Sequence, residues 1–250
     1  MSALRTEMDG SVYRVTFARP ERRNAFDAAA IAELTEAFRL VGDARVVVLS
    51  GEGPSFCAGA DVEWQRSSID LSYDENVEDA MRLYEMCEAI DSCPAPVVAL
   101  VHGYALGGGS GLVACADVAI AAPDAVFGFS EVRLGIIPAV ISPFVLRKIG
   151  PGGARRYFLT GERFDAETAL RIGLVHEVSP EPQQVVDDII GAILQGGPDA
   201  IRAAKLLVAQ RPTGLETARI AAERRTSEEG QEGLRAFLER RAATFVEEKG

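Results

Sequence analysis

The 250-residue chain is predicted to fold as an α/β protein, because apolar segments typical of strands alternate with amphipathic segments typical of helices. Residues 46–49 and 97–101 are uninterrupted apolar runs rich in β-branched residues, as in strands that helices cover on both faces. Between them, residues 76–90 carry apolar side chains at helical spacing. The later part of the chain has only helical patterns. The sequence therefore predicts an α/β core over 1–195 and a helical C-terminal region over 196–250.

The separate elements follow from periodicity and capping signals. Residues 12–17 alternate apolar and polar side chains, which predicts a strand, and the charged segment after it predicts a loop. Asp27 is a suitable N-cap for a helix over 28–40, with Phe26 and Ile31 placed to pack across its first turn. Further strands are predicted at 46–49, 97–101, 118–121 and 126–129, and further helices at 76–90, 154–159, 166–172, 184–194, 198–210 and 215–244.

Composition and charge exclude several classes of protein. A chain with 48% hydrophobic and 25% charged residues is typical of soluble globular proteins, and no signal peptide or membrane-spanning run is expected. The 37 acidic residues outnumber the 26 basic ones, and a net charge of −11 disfavours binding to nucleic acid or anionic membranes. Four cysteines without a C-x-x-C spacing, and only two histidines, argue against a zinc site. We expect reduced thiols and a cytoplasmic location.

A glycine-rich segment follows the predicted strand at 97–101. In Leu106-Gly107-Gly108-Gly109-Ser110-Gly111-Leu112 the backbone can approach a ligand closely, and a helix starting there would present free N–H groups. A simple tight turn is the alternative interpretation. The spacing matches neither of the glycine motifs that bind nucleotide phosphates, and Leu112 stands where a G-x-S-x-G motif needs glycine. Nucleotide binding and serine hydrolysis are therefore disfavoured.

Glu131 is the first candidate for acid–base chemistry. It is flanked by apolar residues, and burial among them would raise the pKa of its carboxyl group into a range useful for proton transfer. An ordinary ion pair is the alternative role. Cys57 has no histidine near it in the sequence, so we expect a packed thiol rather than a nucleophile. His102 and His176 are interpreted as structural.

Five motifs follow one another along the chain: RPERRNA at 19–25, FCAGAD at 56–61, HGYALGGG at 102–109, FG and the glutamate within 127–131, and LGIIP at 134–138. In this order and spacing they are similar to the enoyl-CoA hydratase/isomerase (crotonase) superfamily, and the resemblance extends from about Val12 to Phe245. It implies a crotonase-like spiral of β-β-α units and a helical C-terminal region that forms trimers, which commonly pair into hexamers.

The resemblance also implies a substrate and an active site. Members of this superfamily bind acyl-CoA thioesters and hold the thioester oxygen between two backbone N–H groups, which correspond here to Ala60 and Gly108. Glu131 corresponds to an acid–base glutamate of the family. Hydratases with two carboxylates have a second glutamate just after the triple glycine, whereas this chain has Gly111 there.

Further residues correspond to the coenzyme A site of the family. By its pattern, Arg22 or Arg23 would lie near the phosphates, while Phe245 and Lys249 could reach the ligand of a neighbouring subunit. The residues expected to contact the substrate are Arg22, Ala25, Ala58, Asp61, Val62 and Gly111. No metal is expected, and no cofactor apart from the coenzyme A carried by the substrate itself.

The expected reaction is addition of water to the 2,3 double bond of an enoyl-CoA. The segment 130–145 is similar to the methylglutaconyl-CoA hydratase-like subgroup, so a branched or glutaconyl-type acyl chain is one candidate, with Arg133 as a partner for a distal carboxylate. A double-bond isomerase using Glu131 alone, or an acyl-CoA-binding protein without activity, are the alternatives. The expected partners are the acyl-CoA and further copies of the chain in a homotrimer or homohexamer.

Overall fold

The computed structural model describes residues 2–247 of the chain. Within these residues lie nine strands: β1 (Leu4–Asp9), β2 (Val12–Phe17), β3 (Val46–Gly51), β4 (Val97–Val101), β5 (Tyr104–Leu106), β6 (Val118–Ala121), β7 (Val126–Gly128), β8 (Arg163–Asp165) and β9 (Glu177–Val178). The same residues form ten α-helices: α1 (Ala28–Arg39), α2 (Val62–Ser67), α3 (Tyr73–Asp91), α4 (Gly108–Cys115), α5 (Ser142–Thr160), α6 (Ala166–Ile172), α7 (Pro182–Leu194), α8 (Pro198–Gln210), α9 (Leu215–Thr226) and α10 (Glu228–Glu239).

The strands form two sheets. The larger sheet has the order β1-β2-β3-β4-β6-β9 and is parallel except for the hairpin of β1 and β2. The smaller sheet has the order β5-β7-β8, in which β5 and β7 are parallel and β8 is antiparallel. From β4 to β7 the strands alternate between the sheets, because β4 and β6 lie in the large sheet whereas β5 and β7 lie in the small one.

A β-β-α unit is the repeating element of this arrangement. In one unit β4 leads through β5 into α4, and in the next β6 leads through β7 towards α5. Each unit adds one strand to each sheet, so the chain advances as a spiral. The α/β fold with β-β-α units and C-terminal helices is therefore confirmed.

Both faces of the large sheet are covered, as the apolar strands predicted. The main core fills one face with side chains such as Val47, Leu49 and Val97. On the opposite face, α7 places Val186 and Ile190 against the remaining strand residues. A strand buried on both faces needs apolar residues at every position, which explains why its sequence shows no alternation.

Some elements differ from the sequence-based predictions. β1 was not expected: it is an edge strand whose residues after Leu4 are exposed, so no apolar pattern marks it. α5 begins well before residue 154 and contains a kink at Gly150, where φ is 69°. The predicted helix over 215–244 is wrong as a single element, because Ser227 is extended and its side chain caps a new helix through Gly230 N–H at 3.0 Å.

The helices after α7 contribute little to the core. α8 and α9 have no buried residue, and α10 has only Ala236. Polar contacts hold this region to the core: buried Arg45 donates to the carbonyls of Gly196 and Phe245, and Lys205 forms an ion pair with Asp117 at 2.6 Å. The division of the chain at residue 195 stays a prediction. None of the helices in residues 2–247 combines the length and apolarity needed to cross a bilayer.

Candidate active site

A cleft of about 310 Å³ opens where the two sheets meet the N-terminus of α4. The cleft is lined by the segment 58–60, the first residues of α4, α2, α3 and the segment 134–141. Four of the predicted site residues line it together: Ala58, Ala60, Gly108 and Glu131.

The glycines at the start of α4 are required by their surroundings. Gly107 caps the helix with φ 52° and ψ −120°, a conformation that residues with a side chain rarely adopt. A Cβ atom on Gly108 would lie 2.4 Å from the ring of Phe26, and one on Gly109 would lie 2.2 Å from the carbonyl oxygen of Cys57. The backbone can therefore reach this position only with glycine. Because Gly108 is the first residue of α4, its N–H has no partner within the helix.

Ala60 is held by a short parallel bridge to Phe26. Phe26 N–H donates to Gly59 O, and Asp61 N–H donates to Phe26 O, both at 2.9 Å. In a parallel bridge these flanking groups face the partner strand, so the N–H of Ala60 itself is directed away from Phe26. The chain thus brings two N–H groups, of Ala60 and Gly108, to one cleft. Two fixed donors of this kind can bind a carbonyl oxygen and stabilise negative charge that develops on it.

Glu131 lies in the same cleft, in a 3-10 turn that follows β7. Its carboxylate packs on Gly107, where an added Cβ would be 3.2 Å from Oε1. The other oxygen, Oε2, is buried and has no hydrogen-bond partner among residues 2–247. Burial raises the pKa of this carboxyl group above its usual value. A raised pKa makes the carboxylate a stronger base, which favours proton uptake from a bound molecule.

Gly111 faces a hydrophobic side chain. It lies one turn into α4, and a Cβ atom there would be 2.5 Å from Cγ2 of Ile141. Ile141 is buried and lines the cleft. Where a second carboxylate would stand in the two-carboxylate pattern, this chain therefore has an apolar wall.

Two side chains of nucleophilic type, Ser110 and Cys57, have structural roles. The hydroxyl of Ser110 is fully buried; it donates to Ala105 O at 2.6 Å and accepts from Gly128 N–H at 3.3 Å, so it links α4 to β5 and β7. Burial raises the pKa of the Cys57 thiol to about 12, so the thiol stays protonated at neutral pH. The prediction of a packed thiol at Cys57 is confirmed.

The remaining predicted substrate contacts lie outside the cleft. Asp61 accepts hydrogen bonds from the N–H groups of Glu63 and Trp64 as the N-cap of α2, and pairs with Arg22 at 3.1 Å. Val62 is 78% exposed, whereas Ala25 is buried. Arg22 is partly exposed, so a polyanion could still reach it. The roles of these residues in binding coenzyme A stay predictions.

Two residues assigned to ligand contacts, Arg133 and Phe245, have other surroundings in the structure. Arg133 does not line the cleft: it packs against Gly161, and its charge lies near Glu162. This position gives no support to Arg133 as the partner of a distal carboxylate. The ring of Phe245 packs over Gly233 within the same chain. Lys249 lies outside the described residues.

Sequence reasoning missed the wall of the cleft that α3 provides. Asn76, Asp79, Ala80 and Leu83 line it, and Trp64 of α2 lies beside them. A signal for this face exists in the sequence, because positions 76, 79/80 and 83 repeat at the spacing of one helical face. The helix itself was predicted, but from its apolar face only.

Known proteins are similar to this chain over nearly its whole length. The family model described as enoyl-CoA hydratase/isomerase matches residues 7–248. A crotonyl-CoA hydratase of Syntrophomonas wolfei is 33% identical over 243 residues, covering 91% of this chain and 92% of that protein. AtuE of Pseudomonas aeruginosa has a TM-score of 0.94 at 36% identity, covering 98% of this chain and 100% of that one. An enoyl-CoA hydratase from Shewanella pealeana has a TM-score of 0.91 at 37% identity, with 97% and 95% covered.

These similarities are consistent with the chemistry that the residues of the cleft allow. The two N–H groups and the half-buried glutamate lie in a fold shared with a protein named as an enoyl-CoA hydratase. The family resemblance of the sequence motifs is confirmed, while the methylglutaconyl-CoA hydratase-like subgroup stays a prediction. The chain belongs to the enoyl-CoA hydratase/isomerase family.

Proposed function

We propose that this protein is an enoyl-CoA hydratase that adds water across the 2,3 double bond of an acyl-CoA thioester. The observation that carries the proposal is the position of Glu131, whose unpartnered Oε2 is buried in the same cleft as Ala60 and Gly108. A buried acceptor without a partner is costly unless a ligand or water uses it. In this proposal the attacking water is that partner.

The two N–H groups act first. They bind the thioester oxygen and draw electrons from the conjugated double bond, so that C3 becomes electrophilic. The water oxygen bonds to C3 while Glu131 accepts one of its protons, and the same proton passes to C2 as the enolate collapses. Every atom of water ends in the product and the carboxylate is restored. Charge builds on the thioester oxygen only along the reaction path, so each donor stabilises the transition state by roughly 3 kcal/mol.

The test uses the absorbance of the conjugated enoyl thioester. Purified protein mixed with crotonyl-CoA is expected to remove that absorbance and give a product heavier by one water in mass spectrometry. Glu131→Gln keeps the size of the side chain but cannot accept the proton, so turnover should fall by about 10³-fold or more while crotonyl-CoA still binds. Full turnover by the Glu131→Gln variant would contradict the proposed role.

A double-bond isomerase is the second candidate, favoured by the apolar Ile141 beside Gly111. Moving a proton between carbons needs only one carboxylate and no bound water. A 3-enoyl-CoA substrate separates the two functions: an isomerase forms the conjugated thioester with no change in mass, and a hydratase leaves the 3-enoyl chain unchanged. A protein that binds acyl-CoA without activity would turn over neither substrate.

We also propose that the helical C-terminal region joins copies of this chain into a homotrimer, with a homohexamer as the larger alternative. The support is its exposed apolar surface, since Leu215 is 67%, Phe237 80% and Leu238 78% exposed. Analytical ultracentrifugation is expected to give three or six times the chain mass. Phe237→Glu should shift the mass toward the monomer, and an unchanged mass would place the contact elsewhere.

The proposal needs no metal and no cofactor beyond the coenzyme A of the substrate. A cytoplasmic location fits the four unpaired thiols of the chain. The motif resemblance offers a branched or glutaconyl-type chain as candidates for the acyl group.

A further inference from the structure

We propose that the cleft selects an acyl chain that does not end in a carboxylate, and that Asp79 is a specificity-determining residue that excludes such a chain. This inference rests on the proposed function, because it concerns the substrate of the same site. The cleft favours a neutral acyl chain over a glutaconyl-type chain.

The charges in the cleft are the basis of this inference. Among the described residues that line it there is no lysine, arginine or histidine, but there are two carboxylates, Glu131 and Asp79. Most of the other side chains that α3 and the segment 134–141 contribute to the cleft are apolar, including Leu83, Ile136 and Ile141. A substrate carboxylate in such a place would have no cation to pair with and two negative groups nearby.

Asp79 is held firmly in this position. It lies on α3, its side chain is 14% exposed, and its Oδ1 accepts a hydrogen bond from Arg82 at 2.9 Å. The Arg82 side chain is 54% exposed and does not line the cleft. Arg82 therefore binds Asp79 from the solvent side, where water screens its charge. Asp79 remains the group that an incoming acyl chain meets.

Arg133 does not supply a cation to the cleft either. Arg133 is the nearest candidate in the sequence, since it follows Glu131 by two residues. Its side chain instead packs against Gly161 with Glu162 close by, outside the lining of the cleft. The substrate class with a distal carboxylate would need such a cation inside.

Two acyl-CoA substrates of equal chain length test the inference. Pent-2-enoyl-CoA is neutral at its end, and glutaconyl-CoA ends in a carboxylate. We expect kcat/KM for glutaconyl-CoA to be lower by about tenfold or more, because like charges repel strongly in a partly buried cleft. Asp79→Asn should reduce the ratio of kcat/KM for pent-2-enoyl-CoA to kcat/KM for glutaconyl-CoA at least several-fold. Glu78→Gln is the matched control: it removes the same charge from an exposed position on the same helix and should leave the ratio unchanged.

Binding measurements keep the test independent of the reaction. Titration calorimetry with pentanoyl-CoA and glutaryl-CoA, which cannot be hydrated, is expected to give the same preference for the neutral chain. Equal or tighter binding of glutaryl-CoA, or the same effect of Asp79→Asn and Glu78→Gln on the ratio, would overturn the inference. Failure of the proposed function is distinguishable, because the wild-type protein would then hydrate neither enoyl-CoA while the binding preference still decides the role of Asp79.

Discussion

The glycine at position 109 allows a sharp test of how tightly α4 is packed. In an exposed helix, replacing glycine by alanine stabilises a protein by about 1 kcal/mol. At Gly109 the new Cβ would lie 2.2 Å from the carbonyl oxygen of Cys57, about 1 Å closer than carbon and oxygen ordinarily approach. Because that oxygen belongs to the backbone, α4 itself must move. We expect Gly109→Ala to lower the free energy of unfolding by about 2 kcal/mol after the helix gain is subtracted.

Gly152→Ala is the matched control for this prediction. Gly152 lies within α5, and a Cβ there would meet no atom within 4 Å. The same substitution should raise the free energy of unfolding by about 0.5 kcal/mol or more. Calorimetric scans should show Gly109→Ala melting roughly 4–8 °C below the wild type and Gly152→Ala slightly above it. If Gly109→Ala melts at or above the wild-type temperature, α4 can move away from the carbonyl oxygen of Cys57 without loss of stability, and the prediction is wrong. Activity should also fall in Gly109→Ala, because a shifted α4 displaces the N–H of Gly108.

Four further predictions concern buried polar groups. Burial raises the pKa of Glu131 in the folded chain, so stability falls as pH rises from the unfolded to the folded pKa. Glu131→Gln, which carries no charge, should therefore melt at a higher temperature than the wild type near pH 7 in a calorimetric scan. The kcat/KM of the wild type should decline at acid pH with a midpoint above 4.5, the usual value for glutamate. Asn24 donates to the carbonyls of Glu52 and Ser55 at 2.9 and 2.7 Å, so Asn24→Ala should cost about 3 kcal/mol in urea unfolding. Cys57 should resist iodoacetamide at pH 8 in the native protein and react in urea, as peptide mass spectrometry can show.

The sequence predicted elements well where local pattern and burial agree. The strand at 97–101 and the helix at 198–210 match β4 and α8, because an apolar run in one case and Pro198 at the helix start in the other leave little choice. β1 was missed because edge strands need no apolar face. The helix at 215–244 was predicted as one element because Ser227 suits either a helix surface or an N-cap, and only its extended conformation decides.

The candidate site was predictable for a different reason. The roles proposed for Gly108 and Ala60 depend on their backbone N–H groups, so only the motif resemblance, not the residue type, could identify them. The apolar residues on either side of Glu131 indicate in the sequence a candidate acid–base group. No such signal marks Asp79, because α3 reaches the cleft through a tertiary contact, and an aspartate in a charged amphipathic helix usually faces solvent.

Phe26 joins two parts of the cleft that are far apart in the sequence. Its backbone bridges to Ala60, and its ring occupies the space beside Gly108. One residue therefore acts as a spacer that sets the gap between the two donors. The wall made by α3 and 134–141 has no part in that spacer. If the proposed function holds, acyl selectivity can be re-engineered there, at positions such as Leu83 or Ile137, without changing the distance between the two proposed oxyanion donors.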